Sequence, residues 1–279
     1  MRFTQVNPAK TVIKQVSNLQ RHLQPIPLAL LLVNVALNIS WPILHGPDRT
    51  LVTILGVLTF FCESTIHAFV TRGLQYTRTF LAIVLPSAFI AEAIGVHTHL
   101  PFGDYSYSTK LGWMFLQVPA LIPLAWFMMM YPCWLIAGSL TNRSALRIAI
   151  ASWLMASWDL FLDPQMVGEG FWHWQSPTGA KTTSIPLSNF FGWLIVAAIL
   201  YTLLIRLLPT PEQINFDDRV PQLAVAWVWL GSFVANIGWF APFLNQPGTA
   251  LSGLIGMGVV LLPYYLKILR MPQPIGEPL

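Results

Sequence analysis

The sequence predicts an all-α, polytopic integral membrane protein: a bundle of about eight transmembrane helices with both termini in the cytoplasm. The 279 residues are 55% hydrophobic and only 9% charged, whereas a soluble domain carries about 25% charged residues. Apolar stretches that approach the roughly 20 residues needed to cross a bilayer recur along nearly the whole chain. Helices are the expected spanning elements, because open strands leave backbone groups without partners in lipid.

Eight apolar segments define the candidate spans, at 26–44, 51–71, 79–97, 114–138, 145–163, 186–208, 222–243 and 250–269. They leave no room for a separate soluble domain. We therefore expect a polar, basic tail over 1–25, one transmembrane helical domain over 26–270 and a short C-terminal tail over 271–279. The first 25 residues lack an apolar, cleavable core, so we expect the first span to remain as an anchor.

The distribution of Lys and Arg supports this number of spans. With a cytoplasmic N-terminus, 12 basic residues fall on the inner side and three, Arg49, Lys110 and Lys181, on the outer side. Adding or removing one span would scramble this asymmetry, which is the one expected of membrane proteins. The net charge of +4 is therefore interpreted as a topology signal, and no nucleic-acid-binding patch is expected.

Two outer connections, 98–113 and 164–185, are rich in Pro, Gly and aromatic residues, and such loops are expected to line a site. Aromatic residues crowd the same region. An interfacial belt accounts for part of them, and the others are expected to wall a groove for a long apolar ligand and to stabilise a cation beside it. The set comprises Phe102, Tyr105, Tyr107, Trp153, Trp158, Phe171, Trp172, Trp174 and Trp193.

Four carboxylates, Glu63, Glu92, Asp159 and Asp163, lie in or at the ends of spans. A charged residue at a span centre costs about 2.5 to 3.5 kcal/mol, so each needs a reason, either a polar clamp between helices or chemistry. At 1.5 Å per residue, Asp159 lies roughly 6 Å and Glu92 roughly 8 Å below the outer ends of their spans. We expect these two to face one cavity, Glu63 to lie nearer the midplane, and Asp163 to lie at the outer mouth, where Pro164 favours a helix end.

No Lys or Arg lies deep in any span, so at least one of these acids is expected to stay protonated. Such a group donates a proton to a weak base or relays protons in a transporter. His67 follows Glu63 by one turn and is a candidate partner for it. The histidines are scattered, and Cys62 and Cys133 lie inside spans, so neither a metal site nor a disulfide is expected.

Four segments carry a resemblance to a known family: EAIGVHTHLPFGDYSYS (92–108), VPALIPLAWFMMMYP (118–132), WDLFLDPQMVGEGFWHW (158–174) and IPLSNFFGW (185–193). They resemble the carotenoid biosynthesis membrane-protein family, which includes the carotenoid 1',2'-hydratases. The resemblance covers roughly residues 45 to 270, and the tail and first span lie largely outside it.

The resemblance implies addition of water to the terminal 1',2' double bond of an acyclic carotenoid end, as in γ-carotene or lycopene, without a cofactor. It also implies a multi-pass protein of a bacterial plasma or thylakoid membrane, in contact with carotenoid, lipid and other carotenoid-pathway membrane enzymes. The residues fit this chemistry independently. Protonating such an alkene gives a tertiary carbocation, which requires an acid in a dry pocket, a stabilising carboxylate or aromatic ring, and one water.

The expected acid is Asp159, with Glu92 stabilising the cation or deprotonating water, although these two roles are interchangeable at this stage. The remaining candidates divide by role. They are Glu63 and His67 for the proton supply, Asp163, Tyr105 and Asn189 for the water, and Trp158, Trp172, Trp193 and Phe102 for the substrate pocket.

Other functions remain open. A proton-coupled transporter also uses buried acids, but it is expected to contain internal repeats, and none is visible. A non-catalytic carotenoid-binding or assembly subunit would tolerate loss of the acids. Within the enzymes, action on another carotenoid end, by a cyclase or an elongase partner, is the nearest alternative.

Overall fold

The computed structural model describes residues 19–175, 181–182, 185–211, 218–237 and 246–270. Within these ranges, eight helices are long and apolar enough to cross a membrane. They confirm the helical membrane bundle and the location of all eight candidate spans. The helices are α1 (Ile26–Ser40), α2 (Gly46–Arg72), α3 (Leu74–Thr98), α4 (Leu121–Leu140), α5 (Ser144–Gly168), α6 (Leu187–Leu207), α7 (Arg219–Ile237) and α8 (Pro247–Arg270).

Several helix boundaries differ from the sequence prediction by up to seven residues, and two of these differences bear on the site. Helix α4 begins at Leu121, because the residues before it form a small hairpin of β2 (Met114–Phe115) and β3 (Val118–Pro119). Helix α5 continues through Pro164 to Gly168, so the predicted helix end at 163 is wrong. Proline removes one backbone hydrogen-bond donor from a helix. Helix α5 nevertheless continues for four residues after Pro164.

Helix α4 forms the centre of the bundle. All its residues from Trp126 to Ala137 are buried, and it packs against α2, α3, α5 and α7. A helix that is apolar on every side is expected in such a central position. Helices α6 and α8, by contrast, expose large aliphatic side chains such as Ile199 and Val259, as expected for surfaces that face lipid.

The two long outer connections pair with each other through short strands. Strand β1 (Tyr105–Tyr107) is antiparallel to β4 (Trp172–Gln175), which also pairs with β5 (Lys181–Thr182). Tyr105 lies opposite Trp174, and Tyr107 lies opposite Trp172. Because side chains alternate along a strand, the four rings share one face. This aromatic face covers one end of the helical bundle, where the loops were expected to line a site.

Ion pairs tie the helix ends together at both ends of the bundle. Arg49, in the first turn of α2, pairs with Glu169, which directly follows α5. At the opposite end of α2, the Arg72 guanidinium lies 2.7 Å from the Asp218 carboxylate, next to the start of α7. The Arg147 guanidinium lies 3.5 Å from the centroid of the Trp134 ring, a cation–π contact that joins α5 to α4.

Candidate active site

Three carboxylates, Glu92, Asp159 and Asp163, line one cavity of about 40 Å³, here called the acid cavity. The expectation that Glu92 and Asp159 face a common cavity is therefore confirmed. The volume suits a water molecule, which needs about 10 to 15 Å³. The other lining residues are Phe102, Tyr105, Tyr107, Ile122, Ala125, Trp126, Leu162, Trp172, Trp174, Asn189 and Trp193.

Asn189, in the first turn of α6, connects the two aspartates. Its side-chain Nδ2 donates to Oδ2 of Asp159 at 2.6 Å and to Oδ2 of Asp163 at 2.8 Å. Asp163 also accepts from the indole nitrogens of Trp172, at 2.6 Å, and Trp174, at 3.1 Å. Three N–H groups thus hold Asp163, whereas Asp159 accepts one hydrogen bond from a side chain.

Glu92 is held by three donors of its own. The hydroxyls of Tyr105 and Tyr107 donate to Oε2 at 2.6 and 2.8 Å, and the Trp126 indole donates to Oε1 at 2.8 Å. Burial, reinforced by the neighbouring Glu92, raises the pKa of both tyrosines. The two phenols therefore remain protonated and serve as donors to Glu92.

The three carboxylates differ in how well their charged form is supported. Hydrogen bonds from N–H and O–H groups favour the ionised form of a carboxylate, and Glu92 and Asp163 each receive three such donors. The Asn189 side chain is the one donor to Asp159 among the described residues. Among the described residues, none of the three has a Lys or Arg as an ion-pair partner. Asp159 is accordingly the member of the cluster best suited to carry a proton.

Aromatic rings form the remaining walls. Trp126 and Trp193 stack with centroids 4.1 Å apart, and Trp158 packs edge-on against Trp193 at 6.0 Å. Phe102 fits closely between α3 and α6, because a Cβ on Gly95 or Gly192 would lie 2.7 Å from its ring. Both helices therefore require glycine where this ring approaches.

Asp163 does not lie at an outer mouth. It is five residues inside α5, and only 1% of its surface is exposed. The extension of α5 also places Asp159 deeper than expected, nine residues or about 13 Å before the helix end. The mouth is instead covered by the β1–β4 pair, whose indoles reach down to Asp163.

Glu63 and His67 do not line the acid cavity. Glu63 accepts a hydrogen bond from Ser64 at 3.1 Å, and its buried Oε1 has no hydrogen-bond partner among the described residues. Nδ1 of His67 lies 2.8 Å from the hydroxyl of Tyr131. The structure thus pairs Nδ1 of His67 with Tyr131.

Trp158 lines a second cavity of about 170 Å³, here called the chamber. Its side chain is 5% exposed, so it faces the protein interior and not the lipid. The chamber adjoins the acid cavity at Leu162, which lines both. The other expected pocket residues, Phe102, Trp172 and Trp193, line the acid cavity itself.

Trp126 is a site residue that sequence reasoning missed, and Tyr107 and Trp174 were grouped with the aromatics without a role. The alternation in YSY (105–107) and WHW (172–174) is the signal for the last two, because strand residues two apart share a face. Trp126 has no comparable signal within the apolar stretch of α4.

Among the described residues, no group of three or more His, Cys, Asp or Glu is arranged to hold a metal ion.

A multi-pass membrane protein with buried acids around a small cavity is the class that fold and site define. Residues 49–262 match the model of the carotenoid biosynthesis protein family, and the chain belongs to that family. It is 28% identical over 184 residues to the bisanhydrobacterioruberin hydratase of Haloarcula japonica, an alignment that covers 61% of this chain and 58% of that protein. No solved structure matches this chain.

Proposed function

We propose that this protein is a carotenoid hydratase that adds water to the terminal 1',2' double bond of an acyclic carotenoid end of the γ-carotene or lycopene type. The observation that carries the proposal is the unequal hydrogen bonding of three buried carboxylates around a water-sized cavity. The family membership and the similarity to a protein named as a hydratase support it.

The first step is protonation of the alkene. Asp159, which accepts a side-chain hydrogen bond from Asn189 alone among the described residues, holds the proton and delivers it to the less substituted alkene carbon. The new C–H bond uses the π electrons, and the positive charge develops on the tertiary carbon. Glu92 and the indole rings of Trp126 and Trp193, which line the acid cavity, stabilise this charge.

The second step is capture of water. A water molecule in the acid cavity bonds to the tertiary carbon, and the proton that it releases returns to the Asp159–Asp163 pair. Asn189 donates a hydrogen bond to each aspartate and so fixes the position of both carboxyl groups relative to the water. The product is a 1'-hydroxy carotenoid, the acid is regenerated, and no electrons are exchanged. The reaction requires no cofactor.

The proposed orientation places both termini in the cytoplasm and the acid cavity near the outer surface of a bacterial plasma or thylakoid membrane. The charge distribution along the chain supports it, with 12 basic residues inside and three outside. The bilayer then supplies the substrate directly, and other carotenoid-pathway membrane enzymes are the proposed neighbours.

The test expresses the chain in a carotene-producing host that lacks a hydratase and separates the pigments by chromatography and mass spectrometry. The proposal requires a product heavier than the carotene by one water, and its loss in Asp159→Asn. Asp48→Asn is the matched control, because Asp48 is exposed at the start of α2.

The same pigment profile separates the alternatives. A product of unchanged mass but altered mobility would indicate cyclisation. Unaltered carotene that stays bound to purified protein would indicate a binding subunit. Full hydration by an Asp159→Asn protein at normal membrane levels would refute the assignment of the acid.

A further inference from the structure

The acid cavity is too small to hold a carotenoid. Its volume is about 40 Å³, whereas pockets for ligands of ordinary drug size occupy about 300 to 1,000 Å³. Only the reacting end of a long substrate can enter it. The rest of the chain therefore needs a second, apolar site that is continuous with the acid cavity.

An apolar groove of about 630 Å³ lies between α1 and α7, and we call it the groove. Asn38 is the one polar side chain among the residues that line it. On α7 the lining extends over thirteen residues, from Leu223 to Ala235, which corresponds to a rise of about 18 Å along the helix. This length covers more than half of the roughly 30 Å hydrocarbon core of a bilayer.

The groove borders the chamber. The two share Asn38, Pro42, Trp227, Gly231 and Ala235. Several of these lie near the C-terminal ends of α1 and α7. The C-terminal half of α5, which carries Asp159 and Asp163, borders the chamber through Trp158 and Leu162.

We propose that the groove and the chamber together form the route and the binding site for the polyene chain of the carotenoid, which enters from the bilayer and places its acyclic end in the acid cavity. This inference rests on the proposed function for its ligand. Leu162 separates the chamber from the acid cavity and is the side chain that the end group passes. The apolar surface of the groove binds the polyene chain, and the carboxyl groups of the acid cavity carry out the hydration.

The inference is tested with substitutions that place a large side chain at the junction between the groove and the chamber. Gly231 tolerates a methyl group, because an added Cβ would meet Trp227 at an ordinary 3.4 Å. Gly231→Ala is therefore the matched control for the blocking variant Gly231→Phe. Ala235→Phe is a second blocking variant at the same junction, and Leu251→Phe controls for a phenylalanine on an exposed face of α8.

Binding is measured without turnover. Each substitution is combined with Asp159→Asn, the protein is purified from a carotene-producing host, and bound carotenoid and phospholipid are extracted and quantified per protein. The proposal predicts that both blocking variants retain about tenfold less carotenoid than the controls, since the added ring overfills the junction. Hydration by the same variants with Asp159 intact falls in parallel.

The outcomes distinguish this inference from the proposed function. Unchanged carotenoid content and hydration in both blocking variants overturn the route and leave hydration standing. Loss of bound carotenoid in the blocking variants, when the parent protein with Asp159 intact forms no hydrated product, supports the route and refutes hydration. If phospholipid is the ligand displaced and carotenoid content is unchanged, the groove is a lipid site and the inference is wrong.

Discussion

Two regions of this bundle bury glutamates in very different ways. Glu92 is surrounded by three donors, two phenols and an indole, and it shares a cavity with two aspartates. Glu63 accepts a hydrogen bond from Ser64, its buried Oε1 has no partner in the part of the chain that the structure describes, and it lies outside that cavity. We therefore expect that the hydrogen-bond donors directed at Glu92 from several elements, and not burial alone, mark the glutamate that takes part in catalysis.

The largest effect is expected for Asp159→Asn. The amide cannot deliver a proton to the alkene, and general acid catalysis contributes about 10² to 10⁴-fold, so we expect the hydration rate to fall by about that factor. The measurement is the initial rate of product formation in membranes with equal amounts of protein. Asp48→Asn is expected to retain the full rate. An Asp159→Asn rate within about threefold of the parent would assign the proton to another group.

The second prediction compares the two buried glutamates directly. In Glu92→Gln, one of the three donors faces the new amide nitrogen and loses its acceptor. The substitution also removes a negative charge beside the cation. We therefore expect the hydration rate to fall about 10²-fold. Glu63→Gln, the matched variant, is expected to leave the rate within about threefold, because Glu63 does not line the cavity. Equal losses in both variants would contradict the distinction between the two sites and restore Glu63 as a proton relay.

The donors themselves provide the third prediction. Trp172→Phe keeps an aromatic ring but removes the 2.6 Å hydrogen bond to Asp163. A hydrogen bond to a charged group contributes about 1.5 to 3 kcal/mol, so we expect a rate loss of about 10-fold to 100-fold. The effect should appear in kcat more than in KM, because the chain of the substrate lies elsewhere. Trp113→Phe controls for indole loss at an exposed position, and a matching loss there would count against the role of Trp172.

The smallest effect is expected for Glu63→Met. Replacing a buried polar group that lacks a full set of partners by an apolar side chain of similar size is often neutral or stabilising. We therefore expect unchanged or higher thermal stability in detergent and a nearly unchanged rate. The readout is the midpoint of thermal aggregation together with pigment analysis. A stable Glu63→Met protein that has lost hydration would show that Glu63 takes part in proton supply.

The sequence was sufficient to predict the helices, because eight apolar segments of spanning length and the positions of Lys and Arg leave few alternatives. It was also sufficient to single out Glu92 and Asp159, since isolated acids in apolar helices are costly. It was not sufficient for Asp163. Pro164 is an ordinary sign of a helix end, and only the packing of the outer loops shows that α5 continues and that Asp163 is buried.

The aromatic hydrogen-bond donors also show that tertiary contacts could not be predicted from the sequence. Trp172 and Trp193 were expected as walls, but Trp172 is a hydrogen-bond donor to Asp163. That role depends on the pairing of β1 with β4, which joins two loops separated by more than 50 residues in the sequence. Long-range pairing between short strands leaves little trace in local composition. The alternation of aromatic residues is typical of short strands, which were not predicted, and it does not identify their partner.

The most direct test of the central claim is hydration in water labelled with ¹⁸O. Purified protein in lipid vesicles is supplied with a carotene that has one acyclic end, and the product is analysed by mass spectrometry. We predict one labelled hydroxyl per reacted end in the parent protein and in Asp48→Asn, and almost none in Asp159→Asn. A product without label, an isomer of the carotene, or equal labelling in Asp159→Asn would contradict the account.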